Sequence, residues 1–442
     1  MIRNRDAFPE TAPHATALAC VEAGIEAAHP ERVVRAALRF DGEALAVGDE
    51  RYDRSAYSSV LVLGGGNAAA HVAVTVEDVL GDALDGGVVV TDDPQPTDAV
   101  DVLPADHPIP SERGVESTSE LLERARAVDE GTLVVAVITG GGSACMVAPA
   151  AGISLDDVQA TTDALLDSGA DIHEINAVRK HLSAIKGGRL ARALAPARVS
   201  ALVLSDVVGD DLDVVASGPL VADTTTYEDA LDVVERYDLS VPESVGERLA
   251  AGARGETEET PGPDDPAFER VSTHLVGTNM TALAAARDVA TDRGYETLVL
   301  SSRIRGEARD AALAHAAVAE EVVETGNPIE PPAVVLSGGE TTVTVAGEGR
   351  GGPNQEFALA AALDLPSAAG LAAVDTDGID GNTDAAGALV DGDTVTDRGV
   401  AEQALDANDA NAYLAERDAL LETGPTGTNV NDLRVLVVEP SE

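Results

Sequence analysis

Short continuous apolar runs alternate with longer segments rich in Ala, Leu and Glu along most of the chain. The runs at 59–63, 87–90, 133–138, 201–204, 296–300, 333–336, 342–345, 371–374 and 433–438 are strand candidates. The first five are apolar throughout rather than alternating, as strands buried on both faces are. Helical periodicity occupies 67–79, 116–127, 155–166, 281–291, 308–325 and 356–363. In the segment 171–189, Ile175, Val178, Leu182 and Ile185 recur at spacings of three and four, which predicts one buried helical stripe ended by Gly187 and Gly188. Alternation of β and α in this order implies a parallel sheet covered by helices on both faces.

A Gly-, Pro- and acid-rich break at 252–269 interrupts the pattern. It predicts a domain over 1–250, a linker or exposed loop over 251–269 and a second domain over 270–442. In doubly wound sheets ligands gather beyond the carboxyl ends of the strands, and the polar motifs of this chain follow its strands one after another.

Charge changes the picture of the surface. The 442 residues carry a formal net charge of −49, spread along the whole length. No basic cluster is long enough for nucleic-acid binding. Lys180 and Lys186 are the only lysines among 29 cationic residues. Such a carboxylate-rich surface suits molar salt, where the Debye length falls to about 3 Å and self-repulsion is screened. An extremely halophilic, archaeal source is therefore expected. Two cysteines, Cys20 and Cys145, argue against a disulfide framework or a zinc cluster. No apolar stretch is long enough to span a membrane, and the opening MIRNRDAFPE lacks the apolar core of a leader, so a cytoplasmic location is expected.

Seven motifs carry candidate chemistry. Gly64, Gly65 and Gly66 followed by Asn67, and Gly140, Gly141 and Gly142 followed by Ser143, each join a strand to a helix. Glycines admit a ligand close to the backbone and helix N-termini favour anions, although a plain tight turn, or Ser143 as an N-cap, remains an alternative. The first loop fits a dinucleotide fingerprint loosely, with Asp92 and Asp93 late after the next strand. Asn176, Arg179, Lys180 and Ser183 form a polar helical face that is either solvated or, given the two retained lysines, an anion contact. Asp206, with Asp210 and Asp211 beyond it, follows a strand and suits Mg²⁺; surface acid is the alternative. Glu340, Arg350, Asn354, Gln355 and Glu356 flank a glycine-rich hairpin, and Asp375, Asp377, Asp380 and Asp384 crowd a loop that is not an EF-hand. The last motif, GPTGTNVND at 424–432, is another polar glycine loop. For these last three, polar surface turns are the alternative.

Together GADIHEINAVRKHLSAIKGGRLA, SDVVGDDLDVVASGP, LSGGETTVTV, GRGGPNQEFALA, DTDGIDGNTDAAGA and TGTNVNDL resemble the two-domain glycerate 2-kinase family with a MOFRL C-terminal domain. The resemblance implies a Rossmann-like parallel α/β/α N-terminal domain, a smaller α/β domain with a mixed sheet, and an active site in the cleft between them. It implies ATP-dependent phosphorylation of D-glycerate to 2-phosphoglycerate with Mg²⁺, partners limited to glycerate and nucleotide, and a homodimer as one candidate assembly. Under it, Lys180, Lys186, Arg179, Asp206, Asp377 and Arg350 are catalytic candidates. Gly64, Gly65, Gly66, Asn67, Gly140, Gly141, Gly142 and Ser143 hold the nucleotide. Glu174, Asn176, Glu340, Asn354 and Glu356 hold the substrate, and Asp206, Asp210 and Asp377 hold the metal. Asp377 and His173 are the candidate bases. The family usually carries Lys where this chain has Asn67 and a second Arg where it has Pro353. These departures leave two other readings open, an NAD-dependent hydroxypyruvate reductase and a catalytically silent or altered-substrate paralogue.

Overall fold

The computed structural model describes residues 1–440. It divides into two compact units, one over Val33–Val276 and the other formed by Met1–Arg32 together with the chain from Gly277 onward.

The first unit opens with an antiparallel meander of β1 (Leu38–Phe40), β2 (Ala44–Val47) and β3 (Glu50–Asp53). Its main sheet contains β4 (Ser59–Gly65), β5 (Gly86–Thr91), β6 (Val100–Pro104), β7 (Thr132–Thr139), β8 (Arg198–Leu204) and β9 (Val271–Gly277), in the order β6-β5-β4-β7-β8-β9. All pairings from β6 through β8 are parallel. The unbroken apolar run of β7 has a simple cause: every residue of the strand is buried. Val134, Ala136 and Ile138 enter the core on one face, and Leu133, Val135 and Val137 the core on the other. From β4 the chain steps outward through β5 and β6, then returns to the other side of β4 with β7. The strand order therefore reverses between β4 and β7, the position at which doubly wound sheets bind ligands beyond the carboxyl ends of their strands.

The second unit holds β10 (Glu296–Glu307), β11 (Ala333–Thr342), β12 (Ala369–Asp375), β13 (Gly387–Asp391), β14 (Leu420–Leu421) and β15 (Asp432–Val438), ordered β10-β11-β15-β12-β13-β14. Only β10 and β11 run parallel; the other pairings are antiparallel, so the sheet is mixed. Helices Ala12–Ala28 and Asn279–Asp292 contribute Leu18, Ile25 and Leu283 to the core on one face, and helices Ala308–Thr325 and Pro353–Ala362 contribute Ala312 and Phe357 to the other.

The α/β class and the parallel-plus-mixed pair of sheets agree with the sequence, whereas five details differ. The expected boundary is displaced. Residues 1–32 belong with the second unit, because the apolar positions of Ala12–Ala28 are buried in its core. Residues 252–269 are no linker: Glu259 accepts from Tyr227 N–H and meets His181, Arg192 pairs with Glu258 and Asp265, and the turn Pro266–Arg270 leads into β9. The run at 296–300 is a half-exposed edge strand rather than a buried one. No strand forms at 343–345; Thr344 N–H instead donates to Glu307 at 3.1 Å. The helix of 171–189 stops at His181. Beyond it, Ala184 N–H donates to Ala148 O and Leu182 O accepts from Ala150 N–H, so the backbone pairs with a neighbouring segment rather than continuing the spiral.

Candidate functional site

Both glycine triplets of the first unit follow the strands that flank the reversal. In the first, Gly64 faces β7 so closely that a Cβ there would lie 1.9 Å from Val137 O. Its loop is internally satisfied. Gly66 N–H donates to Val90 O, Asn67 N–H to Gly140 O at 2.8 Å, and Ala68 N–H to Thr139 Oγ1. No amide of residues 66–68 is left for a phosphate, so the backbone of this loop does not form the nucleotide cradle expected of Gly64, Gly65, Gly66 and Asn67.

The second triplet differs. Gly141 N–H reaches the carboxylate of Asp206, and Gly142 and Ser143 begin the short helix Gly142–Cys145. Among the described residues, nothing accepts from Gly142 N–H or Ser143 N–H. Gly140 is needed because a Cβ there would lie 2.1 Å from Asp206 Oδ2, and Gly141 because one would lie 1.8 Å from Asn67 Oδ1. Asp206, two residues beyond the end of β8, is thus set against the open loop. Burial pushes its carboxyl pKa up, opposed by the Gly141 N–H.

The two lysines take roles that the sequence did not separate. Lys180 is fully buried, and its ammonium is paired with Asp213 and, at 3.3 Å, with Asp223. The expected phosphate grip is corrected for this residue: its charge is consumed inside the unit. Lys186 donates to Ser143 O at 2.6 Å and Met146 O at 3.5 Å. It thereby holds the short helix of the second loop from its carbonyl end. Burial, then the nearby Arg179 charge, lowers its pKa to about 7.

Around this lysine, Ser143 Oγ lies 2.8 Å from Ser217 Oγ, which donates to Asn176 Oδ1 at 3.0 Å. Ser217 and Ala216 have φ of 61° and 50°, a left-handed backbone uncommon outside glycine. Asp210, also left-handed, carries no hydrogen bond to the metal candidate Asp206. Glu174 is corrected as a substrate ligand: it closes a capping box with Asp171 and binds Arg236 and Tyr237.

In the second unit the acidic loop folds inward. Asp380 accepts from Asn354 N–H at 3.0 Å and Gln355 N–H at 2.9 Å, so it caps helix Pro353–Ala362. Burial still raises its pKa to about 6. Asp375 is pushed well up by burial and by Asp377, and Asp377 is itself raised by burial. Asp432 accepts from Asn354 Nδ2 at 2.6 Å and Thr341 N–H at 3.0 Å and pairs with the fully buried Arg434. Glu356, expected to hold substrate, is instead bound by Arg309 at 2.5 Å and Asn408 at 3.3 Å. Arg350 is exposed and donates to Asn382 O at 3.1 Å. Glu340 is exposed, opposite Arg305 in the β10–β11 ladder. Among the described residues no three acidic, His or Cys groups are spaced to hold a metal. Mg²⁺ in nucleotide sites typically takes only one or two carboxylates besides phosphates, and Asp206 fits that demand. Sequence reasoning missed Asp213, Asp223, Ser217 and Arg434; only Asp213 and Ser217 lie in the strand-end motif SDVVGDDLDVVASGP that pointed toward this region.

A parallel-sheet unit with an open glycine loop and a carboxylate at its reversal, and a second unit with a mixed sheet, define an α/β enzyme of two units. The first half matches a domain of unknown function, DUF4147, over residues 16–250, and the second the MOFRL family over residues 333–432. The chain is 41% identical to a protein named glycerate 2-kinase from Pyrococcus horikoshii, over 95% of this chain and 96% of that one. It is 40% identical to a D-glycerate 2-kinase of Thermotoga maritima over 94% of this chain and 96% of that one. A crystal structure of Thermotoga maritima glycerate kinase superposes with a TM-score of 0.84 at 39% identity, covering 96% of this chain and 99% of that one. The chain belongs to the glycerate 2-kinase family with DUF4147 and MOFRL domains.

Proposed function

We propose that the protein phosphorylates D-glycerate to 2-phosphoglycerate with ATP and Mg²⁺, in a cytoplasm of molar salt. The observation that carries this reading is the second glycine loop, whose Gly142 and Ser143 amides are open beside Asp206. Phosphoryl transfer asks the protein mainly for positioning and charge stabilisation. Open amides suit phosphate oxygens, and Mg²⁺, when bound, neutralises charge on the transferring group. Asp206 is the proposed metal ligand. Lys186 keeps the loop in shape through Ser143 O and Met146 O.

The closed first loop disfavours the dinucleotide reductase reading, since pyrophosphate binding at such a motif needs free backbone amides. The test is a coupled ATP assay with D-glycerate in molar KCl, with the product resolved as 2- or 3-phosphoglycerate. Formation of 2-phosphoglycerate is expected. A folded protein giving no product supports the silent paralogue, and an NADH-dependent rate with hydroxypyruvate overturns the kinase reading. The charge of −49 predicts loss of activity on dilution to low salt.

A further inference from the structure

Arg179 is the unusual cation of this chain. In a protein with 78 Asp and Glu residues, most arginines sit on a carboxylate. Arg179, on helix Ile172–His181, is half-buried and has neither ion pair nor hydrogen bond among the described residues. Its proton affinity is lowered by burial alone, with no acidic neighbour to compensate. A desolvated, unpaired guanidinium is costly and is retained where an anion completes it. One turn earlier on the same helix, Asn176 is 2% exposed, and its Nδ2 has no acceptor. Residues three apart on a helix are neighbours, so two unsatisfied donor groups share one face. The other cation nearby, Lys186, is spent on Ser143 O and Met146 O.

We propose that Arg179 and Asn176 Nδ2 bind the carboxylate of the hydroxy-acid substrate and that Arg179 sets the enzyme's requirement for an acid. The proposal rests on the glycerate reading above and assigns the substrate's acid group. A guanidinium fork matches a planar carboxylate through two parallel hydrogen bonds. The relay Asn176–Ser217–Ser143 ties this pair to the open loop. Ser217 gives its proton to Asn176 Oδ1, so Ser143 donates to Ser217 and keeps its own oxygen free to accept from a substrate hydroxyl. An acid group bound beside a hydroxyl acceptor fits transfer to the 2-hydroxyl, which neighbours the carboxylate, better than transfer to the more distant 3-hydroxyl.

The experiment compares D-glycerate with glyceramide, its neutral amide, in wild type, Arg179→Gln and Arg179→Lys, all in molar KCl. Thermal unfolding confirms that each variant is folded. Arg179→Gln is expected to raise KM for D-glycerate roughly 30- to 100-fold, to leave KM for ATP within about twofold, and to abolish the preference for the acid over the amide. Arg179→Lys, which keeps the charge without the fork, is expected to fall between. Equal losses on both acceptors, or a raised KM for ATP, overturn the proposal in favour of a phosphate contact. Should wild type phosphorylate no glycerate, calorimetric titration with D-glycerate separates the two claims. Binding to wild type that Arg179→Gln removes keeps the carboxylate assignment while the kinase reading fails. Binding unaffected by the substitution, or none in wild type, overturns the assignment.

Discussion

LGGGN at 63–67 and TGGGS at 139–143 are spelled almost alike, follow adjacent parallel strands, and do different things. In the first, Gly64 is required by the backbone of the next strand, and the amides that follow are consumed by Val90 O, Gly140 O and Thr139 Oγ1. In the second, Gly140 and Gly141 make room for the side chains of Asp206 and Asn67, and the next two amides stay open. The lysines repeat the contrast: Lys180 is closed by two aspartates, whereas Lys186 serves the open loop. A motif's residue types thus declare that a backbone approach is close. They do not declare whether the neighbour is protein or ligand.

The sharpest way to break the contrast is Lys180→Met. Removing one partner from a buried charge cluster strands Asp223, which is fully buried and already has an unsatisfied Oδ2. A loss of about 3–5 kcal/mol is expected, read as a fall in the urea midpoint in molar KCl. An unchanged midpoint with abolished turnover would instead place this ammonium on a ligand. Gly64→Ala comes next. The clash with Val137 O has backbone on both sides and cannot be relieved by a side chain, so a loss of roughly 2–3 kcal/mol is expected. The surviving folded enzyme should keep its KM for ATP. A KM for ATP raised tenfold in a stable Gly64→Ala protein sinks the view that the first loop is only packing.

Much of the fold was legible because burial on both faces writes continuous apolar runs, as at β4, β5, β7 and β8. Strands that lean on few apolar residues, such as β6 (Val100–Pro104) and the edge strand β9, carry no such signal and escaped. The displaced unit boundary escaped for another reason. Helix Ala12–Ala28 pairs with Asn279–Asp292, and nothing local announces a partner more than 250 residues away. At the site, residue identities were legible and occupancy was not. Lys180, Glu174 and Glu356 look functional as letters, yet each is satisfied by partners distant in sequence: Asp213 and Asp223, Arg236, and Arg309 respectively. Arg179 stands out only once the absence of such a partner is seen.

Lys186 gives the smallest effect on stability near neutral pH and the most telling dependence on pH. Its pKa is depressed to about 7 in the folded chain, against about 10.4 when unfolded. Between these values the unfolded chain binds more protons than the native one, so the contribution of this group to stability rises with pH from about 7 to about 10. Below about 7 both states are protonated, and the cost of burying the ammonium is fully present. Lys186→Met fills similar space without a charge. Its stability should lie within about 1 kcal/mol of wild type at pH 7, and wild type should gain on the variant as pH rises toward 10. The urea midpoints of the two proteins across that range, compared pairwise so that other titrating groups cancel, measure this. The variant should also lose turnover by tenfold or more, because the carbonyls of Ser143 and Met146 no longer hold the open loop. A difference in stability that stays flat with pH means the ammonium is not desolvated. Retained turnover means the second loop keeps its shape unaided, and the contrast between the two lysines loses its functional half.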